Sequence, residues 1–296
     1  MNTIKVFGMQ SKIRLVVPEP TPERSVTVEL LLLLSLIIGG AILVGVTSYI
    51  VGLFYPAYAS NTWMLRITQL YSTFCLIGLP VLVWRHIHRE PYSLYFASHL
   101  LRVRDFFAAL CFAFVIQPIV WVLVYLNGLF PLPEWALDFE RSAEELIKQM
   151  LCTEQWSVLF ANIIVIAIAP AVCEEMLFRG LLQSLFIKRG MNGHLAIWVV
   201  AIIFGIVHFQ FAGIIARVFL GAVLGYLFYY SKTLWLPIFV HAFNNAGAVL
   251  LYFIVYNQTG ETSIADPDFN VYIVSLALLC SFSLVYMARK LYGTRR

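Results

Sequence analysis

Eight apolar runs dominate this chain and restrict the solvent in which it can fold. They cover residues 30–54, 66–84, 106–127, 156–187, 194–211, 213–230, 234–256 and 271–288. An α-helix rises about 1.5 Å per residue, so roughly 20 apolar residues cross a hydrocarbon layer. Only 12% of the 296 residues are charged, about half the share in an ordinary soluble domain. A water-soluble core of this size would leave too much apolar surface uncovered. The expectation is an all-α, multi-pass transmembrane bundle of about eight spans, embedded in a lipid bilayer.

The basic residues give the bundle an expected orientation. With the connections assigned alternately to two sides, 15 of the 20 Lys and Arg residues fall on the side of the N-terminus. Arg66, Arg141, Lys148 and Arg217 fall on the other side, and Arg179 lies inside a span. Positive charge collects in the cytoplasm, so both termini are expected there. Residues 1–28 read as a polar cytoplasmic tail, and residues 29–296 as one membrane domain. Ala57 and Ala59 offer an A-x-A pattern after the first run, but that run is too long for a signal-peptide core, so a retained helix is expected. Residues 134–150 mix Trp135, Leu137, Phe139, Leu146 and Ile147 with acids, as does a helix lying on the outer membrane surface. His86, His88, His99 and His194 lie at or outside span ends and read as interfacial. No basic patch interleaved with aromatics suggests nucleic acid. Cys75, Cys111, Cys152, Cys173 and Cys280 form no CxxC pair and read as small hydrophobes rather than a disulfide framework.

The functional signal is what stays polar inside the spans. The fourth run holds Glu174, Glu175 and Arg179, the fifth His208, and the seventh His241, Asn244 and Asn245. Ionisable groups in hydrocarbon are costly and face a cavity or one another. Counted from the cytoplasmic ends of their spans, Glu174, His208 and Asn245 lie about 20 Å deep, with His241 one turn shallower. Glu175 and Arg179 are four apart, share a helix face and can pair, which leaves Glu174 for another task. The plain alternative, an interhelical ion-pair staple, leaves one of the two acids unexplained. His241 and Asn245 also share a face, and Phe204 stands four residues before His208, where its ring can shield or orient the imidazole. A carboxylate and an imidazole beside one water can take its proton. An imidazole N–H and an amide N–H suit a developing oxyanion. These are the parts for peptide hydrolysis without a covalent intermediate. Cys173 beside two carboxylates is a poor nucleophile. Gly221 and Gly225 are spaced for a close helix contact.

The runs Glu174-Glu175-x-x-x-Arg179, Phe204-x-x-x-His208 and His241-x-x-x-Asn245 resemble the three motifs of the CPBP family. That family joins the type II CAAX prenyl endopeptidases to bacteriocin-processing and bacteriocin-immunity proteins. The resemblance covers a core at about residues 156–250, and no motif position departs from the pattern. It implies an intramembrane glutamate protease with an eight-helix core. In that reading Glu174 and His208 activate water, His241 and Asn245 serve the oxyanion, and Glu175, Arg179 and Phe204 support them. The substrate would be a peptide or prenylated protein, as in CAAX-type or leader-peptide processing. The sequence context resembles the bacterial branch, implying a bacterial cytoplasmic membrane, or the endoplasmic reticulum in a eukaryote. No cofactor is expected. Zinc on the two histidines and two glutamates is the minor alternative, since HExxH is absent and Arg179 disfavours a cation. A non-catalytic membrane regulator or immunity protein is the competing function, and a proton-coupled transporter is a weaker one.

Overall fold

A computed structural model of the protein describes residues 25–89, 103–262 and 271–292. The tail over 1–24, His99, and the acids Asp266 and Asp268 lie outside the described residues. No strand occurs among the described residues. Among the described residues nine α-helical segments follow in order: α1 (Val26–Phe54), α2 (Thr62–His88), α3 (Val103–Gly128), α4 (Glu134–Leu151), α5 (Trp156–Lys188), α6 (Gly193–Ile206), α7 (Ile214–Ser231), α8 (Trp235–Thr259) and α9 (Val271–Tyr292). Six of them, α1, α2, α3, α5, α7 and α8, are long and apolar enough to cross a membrane, α7 counted from Phe211. The apolar helix α6 is shorter, and so is the apolar stretch Val274–Ser283 within α9. The chain is an integral membrane protein of helical architecture.

Local chemistry explains several boundaries. Ser25 caps α1 by accepting from the Val28 N–H, so the helix begins four residues before the apolar run. Asn61 caps α2 in the same way through the N–H groups of Trp63 and Met64. Asn192 caps α6 through His194 and Leu195. Lys232 and Gly260 end α7 and α8 in left-handed conformations. Widened π turns occupy Phe74–Gly78 in α2 and both Ile163–Ile168 and Met176–Gln183 in α5. Such turns recur where helices carry function, and the last begins directly after Glu175.

The packing brings α5, α6, α7 and α8 together. Helix α7 lies against α6 and α3, α8 against the first half of α5 and against α3, and α9 covers α3. Helix α1 packs on α2. Gly221 and Gly225 make the α6–α7 approach possible. A Cβ at Gly221 would sit 3.2 Å from Ala201 Cα, and one at Gly225 would sit 2.9 Å from Ile197 Cγ2. All five cysteines are free thiols.

The structure shortens the fifth predicted run, which reached residue 211. Helix α6 stops at Ile206, and a turn over Val207 and His208 follows. Phe209 takes a positive φ of 52°, a backbone that no helix continues through. The Phe204 carbonyl accepts instead from His208 Nδ1, at 2.6 Å. His208 therefore ends the helix with its side chain rather than riding on it.

Candidate active site

Glu175 and Arg179 form the centre of the site, and both are fully buried. Arg179 Nη1 donates to Glu175 Oε1 at 2.7 Å. Arg179 Nη2 donates to the Gly221 carbonyl of α7 at 2.8 Å. The guanidinium carbon lies 4.9 Å from the Phe204 ring centroid, a cation–π distance that holds the ring in place. One turn further along α5, Gln183 Nε2 donates to the Gly225 carbonyl at 3.0 Å. The two glycines of α7 thus leave their carbonyls open to two buried side chains of α5.

The second bond of Glu175 reaches another helix. His241 Nδ1 lies 2.8 Å from Glu175 Oε1, the same oxygen that receives Arg179. A carboxylate oxygen only accepts, so Nδ1 carries the proton and the tautomer is fixed. The other nitrogen, Nε2, faces Glu174 Oε2 at 3.8 Å. His208 presents the same pattern from the turn after α6. Its Nδ1–H goes to the Phe204 carbonyl, and its Nε2 lies 3.8 Å from the same Glu174 oxygen. Glu174 Oε2 is buried and makes no hydrogen bond among the described residues. Two imidazole nitrogens and one carboxylate oxygen thus converge on one small volume. Phe204 roofs it, with its ring centroid 4.8 Å from His208 and 5.7 Å from His241.

Six of the seven residues singled out from the sequence therefore meet: Glu174, Glu175, Arg179, Phe204, His208 and His241. Asn245 stands one turn along α8 from His241, half-buried. It makes no hydrogen bond to the Glu174 group among the described residues. Its Oδ1 accepts from Asn244 Nδ2 at 3.3 Å. Among the described residues, no group of three or more His, Cys, Asp or Glu side chains is arranged to hold a metal ion.

Several supporting residues escape a reading of the motifs. Asn127 of α3 brackets the turn after His208, donating to the Phe211 carbonyl at 2.9 Å and accepting from the Ile215 N–H at 3.1 Å. Glu140 of α4 accepts from the Ala212 N–H at 2.8 Å. Phe139 stacks on Phe209 at 5.5 Å, and Trp135 meets Phe211 edge-on at 5.0 Å. The amphipathic helix read as a surface element is thus docked on the turn that carries His208. His88, read as interfacial, is half-buried at its span end, stacked on Trp84 at 3.9 Å and 2.8 Å from Glu29 Oε2. The only sequence cue for Gln183 was its position four residues after Arg179.

Comparison with known proteins now bears on this geometry. Neither a curated protein nor a solved structure matches the chain. The model of one family, described as Type II CAAX prenyl endopeptidase Rce1-like, matches residues 155–247. The match spans α5 to the middle of α8 and contains every residue of the cluster. The coarse activity that it carries is peptide-bond hydrolysis within a membrane. Through this helical core, residues 155–247 are similar to the Rce1-like type II CAAX prenyl endopeptidases.

Proposed function

We propose that the chain is a glutamate-type intramembrane endopeptidase in which Glu174 and His208 activate a water. The convergence of two Nε2 atoms on Glu174 Oε2 at 3.8 Å carries this reading. That separation exceeds a direct hydrogen bond, yet one water oxygen can lie about 2.8 Å from both partners. The Nδ1–H of His208 is taken by the Phe204 carbonyl, so neutral His208 offers its Nε2 lone pair to that water. Glu174 takes one proton, while His208 Nε2 accepts a hydrogen bond from the other O–H, as the oxygen attacks the scissile carbonyl. The proton then passes to the leaving amine. His241, anchored on Glu175, donates from Nε2 to the oxyanion in its imidazolium form. Asn245 supplies an amide N–H to the same oxygen. Arg179 neutralises Glu175 and keeps it from turning toward the water.

Substrates in this reading are prenylated proteins with a C-terminal CAAX sequence, or leader peptides, entering from the cytoplasmic side. The excess of basic residues on one side supports eight spans with both termini in the cytoplasm. A bacterial cytoplasmic membrane is the proposed location, and the endoplasmic reticulum is its eukaryotic counterpart.

The test uses the purified full chain in detergent and an internally quenched farnesylated peptide ending in a CAAX sequence. Glu174→Ala and His208→Ala should each lower kcat by about 10²–10⁴-fold, with thermal unfolding and elution unchanged. Normal cleavage by both variants ends the proposal. Chelation should leave the rate intact; loss restored by zinc would make the site a metalloenzyme. A cellular phenotype kept in full by Glu174→Ala would favour a non-catalytic regulator or immunity protein.

A further inference from the structure

A chain of side-chain amides runs from α3 to Asn245, and its polarity is set at one end. Gln117 Nε2 lies 3.1 Å from the Ala113 carbonyl and 3.1 Å from Asn244 Oδ1. Asn244 Nδ2 lies 3.3 Å from Asn245 Oδ1. The oxygen and nitrogen of an amide are alike in shape, so an isolated pair of amides can point either way. A backbone carbonyl removes that freedom, because it only accepts. The Gln117 atom beside Ala113 O must therefore be the nitrogen. The same nitrogen meets Asn244, so the facing atom of Asn244 must be its oxygen. The remaining amide nitrogen of Asn244 then faces Asn245, whose facing atom must again be the oxygen. Asn245 Nδ2 is left without a hydrogen bond among the described residues.

We propose that Gln117 and Asn244 are positioning residues that hold the Asn245 amide with its N–H, not its carbonyl, free for the substrate oxyanion. The inference rests on the proposed role of Asn245. A flipped Asn245 would turn a carbonyl oxygen toward developing negative charge and oppose the reaction. One hydrogen bond to a backbone carbonyl in α3, a helix outside the family match, prevents this. Neither residue touches the reacting atoms, so both act only through Asn245.

The sharpest variant is Asn244→Asp. An aspartate carboxylate accepts from Gln117 as before. Toward Asn245 it has no N–H to offer and attracts Asn245 Nδ2, reversing that amide. Asn244→Leu keeps the bulk and removes both bonds, leaving Asn245 free to take either orientation. The positioning role predicts that Asp is the worse substitution. A role in packing or folding predicts the reverse, because Asp keeps the shape and polarity of Asn.

The experiment measures kcat and KM of the full chain on the quenched farnesylated CAAX peptide, with thermal unfolding in parallel. Asn245→Ala and Asn244→Asp should each lose about 10²-fold in kcat. Asn244→Leu and Gln117→Met should lose about fivefold, the bias that one hydrogen bond supplies. KM should stay within twofold throughout, because ground-state binding is untouched. If the wild-type chain fails to cleave, the proposed function falls and takes this inference with it. Full activity in Asn245→Ala removes the role of Asn245. Loss in Asn245→Ala with full activity in Asn244→Asp, or with Asn244→Leu the worse variant, overturns the relay alone.

Discussion

Arg66 and Arg179 are both sealed inside the helices, and the protein satisfies them in different ways. Arg66 in α2 donates to three neutral oxygens: Asn162 Oδ1 at 2.8 Å and the carbonyls of Thr62 and Met150 at 2.6 Å. It fastens α2 to the end of α4 and the start of α5, and its guanidinium lies over the Trp63 ring. Arg179 donates to a carboxylate that also anchors His241. One arginine is held by neutral dipoles of α2, α4 and α5, and the other by a charge that fixes an imidazole beside Glu174. The contrast teaches that burial alone does not mark a functional charge. What its partner touches next does.

The largest effect that would test this contrast is expected from Arg179→Met. Removing one member of a buried ion pair leaves the other uncompensated and typically costs about 3–5 kcal/mol. The freed Glu175 would also lose its fixed geometry toward His241. The variant should therefore unfold earlier in detergent and lose cleavage even below its melting temperature. Cleavage at the wild-type rate by the folded fraction would show that Arg179 is a staple like Arg66.

Arg66→Met sharpens the other side of the comparison. It leaves two carbonyls and Asn162 Oδ1 without their donor, although Asn162 Nδ2 still reaches the Met150 carbonyl at 2.7 Å. The expected loss is about 1–3 kcal/mol, read as a lower Tm, with kcat unchanged in the folded protein. A fall in kcat without a fall in Tm would break the distinction.

These two arginines also show what the sequence could and could not disclose. The apolar runs located eight of the helices, because lipid demands length and composition. The amphipathic segment located α4. Arg179 announced its partner, because Glu175 stands four residues away on the same helix face. Arg66 did not, since Asn162 is 96 residues away and no local period links them. The same limit hid the bond from Glu175 to His241, 66 residues apart, and that from Gln117 to Asn244, 127 apart. A polar residue within the third apolar run was visible all along; its partner was not. The stop of α6 before His208 was missed for another reason. It depends on a positive φ at Phe209, a conformation that phenylalanine does not advertise.

Gly221 offers a smaller and more local test. Its carbonyl serves Arg179, and a Cβ there would meet Ala201 Cα and Phe204 Cδ1 at 3.2 Å. Gly221→Ala should push α6 and α7 apart by a few tenths of an ångström and cost about 1–2 kcal/mol. Because Phe204 also packs against both histidines, kcat should fall with Tm. Unchanged values of both would mean that the interface yields without disturbing the Arg179 bond.

The smallest effect should come from Cys173, which adjoins Glu174 yet belongs to the other kind of region. Its Sγ packs toward Gly78 of α2, where an added Cβ would lie 3.2 Å away. Among the described residues the thiol makes no hydrogen bond. Nor, among the described residues, does a cation or imidazole touch it to favour the thiolate that nucleophilic attack needs. Cys173→Ala should therefore keep kcat and KM within about twofold of wild type, since nothing in the water-activating cluster changes. If that variant were inactive while Glu174→Gln still cleaved, the nucleophile would be the sulfur. The convergence of His208 and His241 on Glu174 would then be a structural staple of the Arg66 kind.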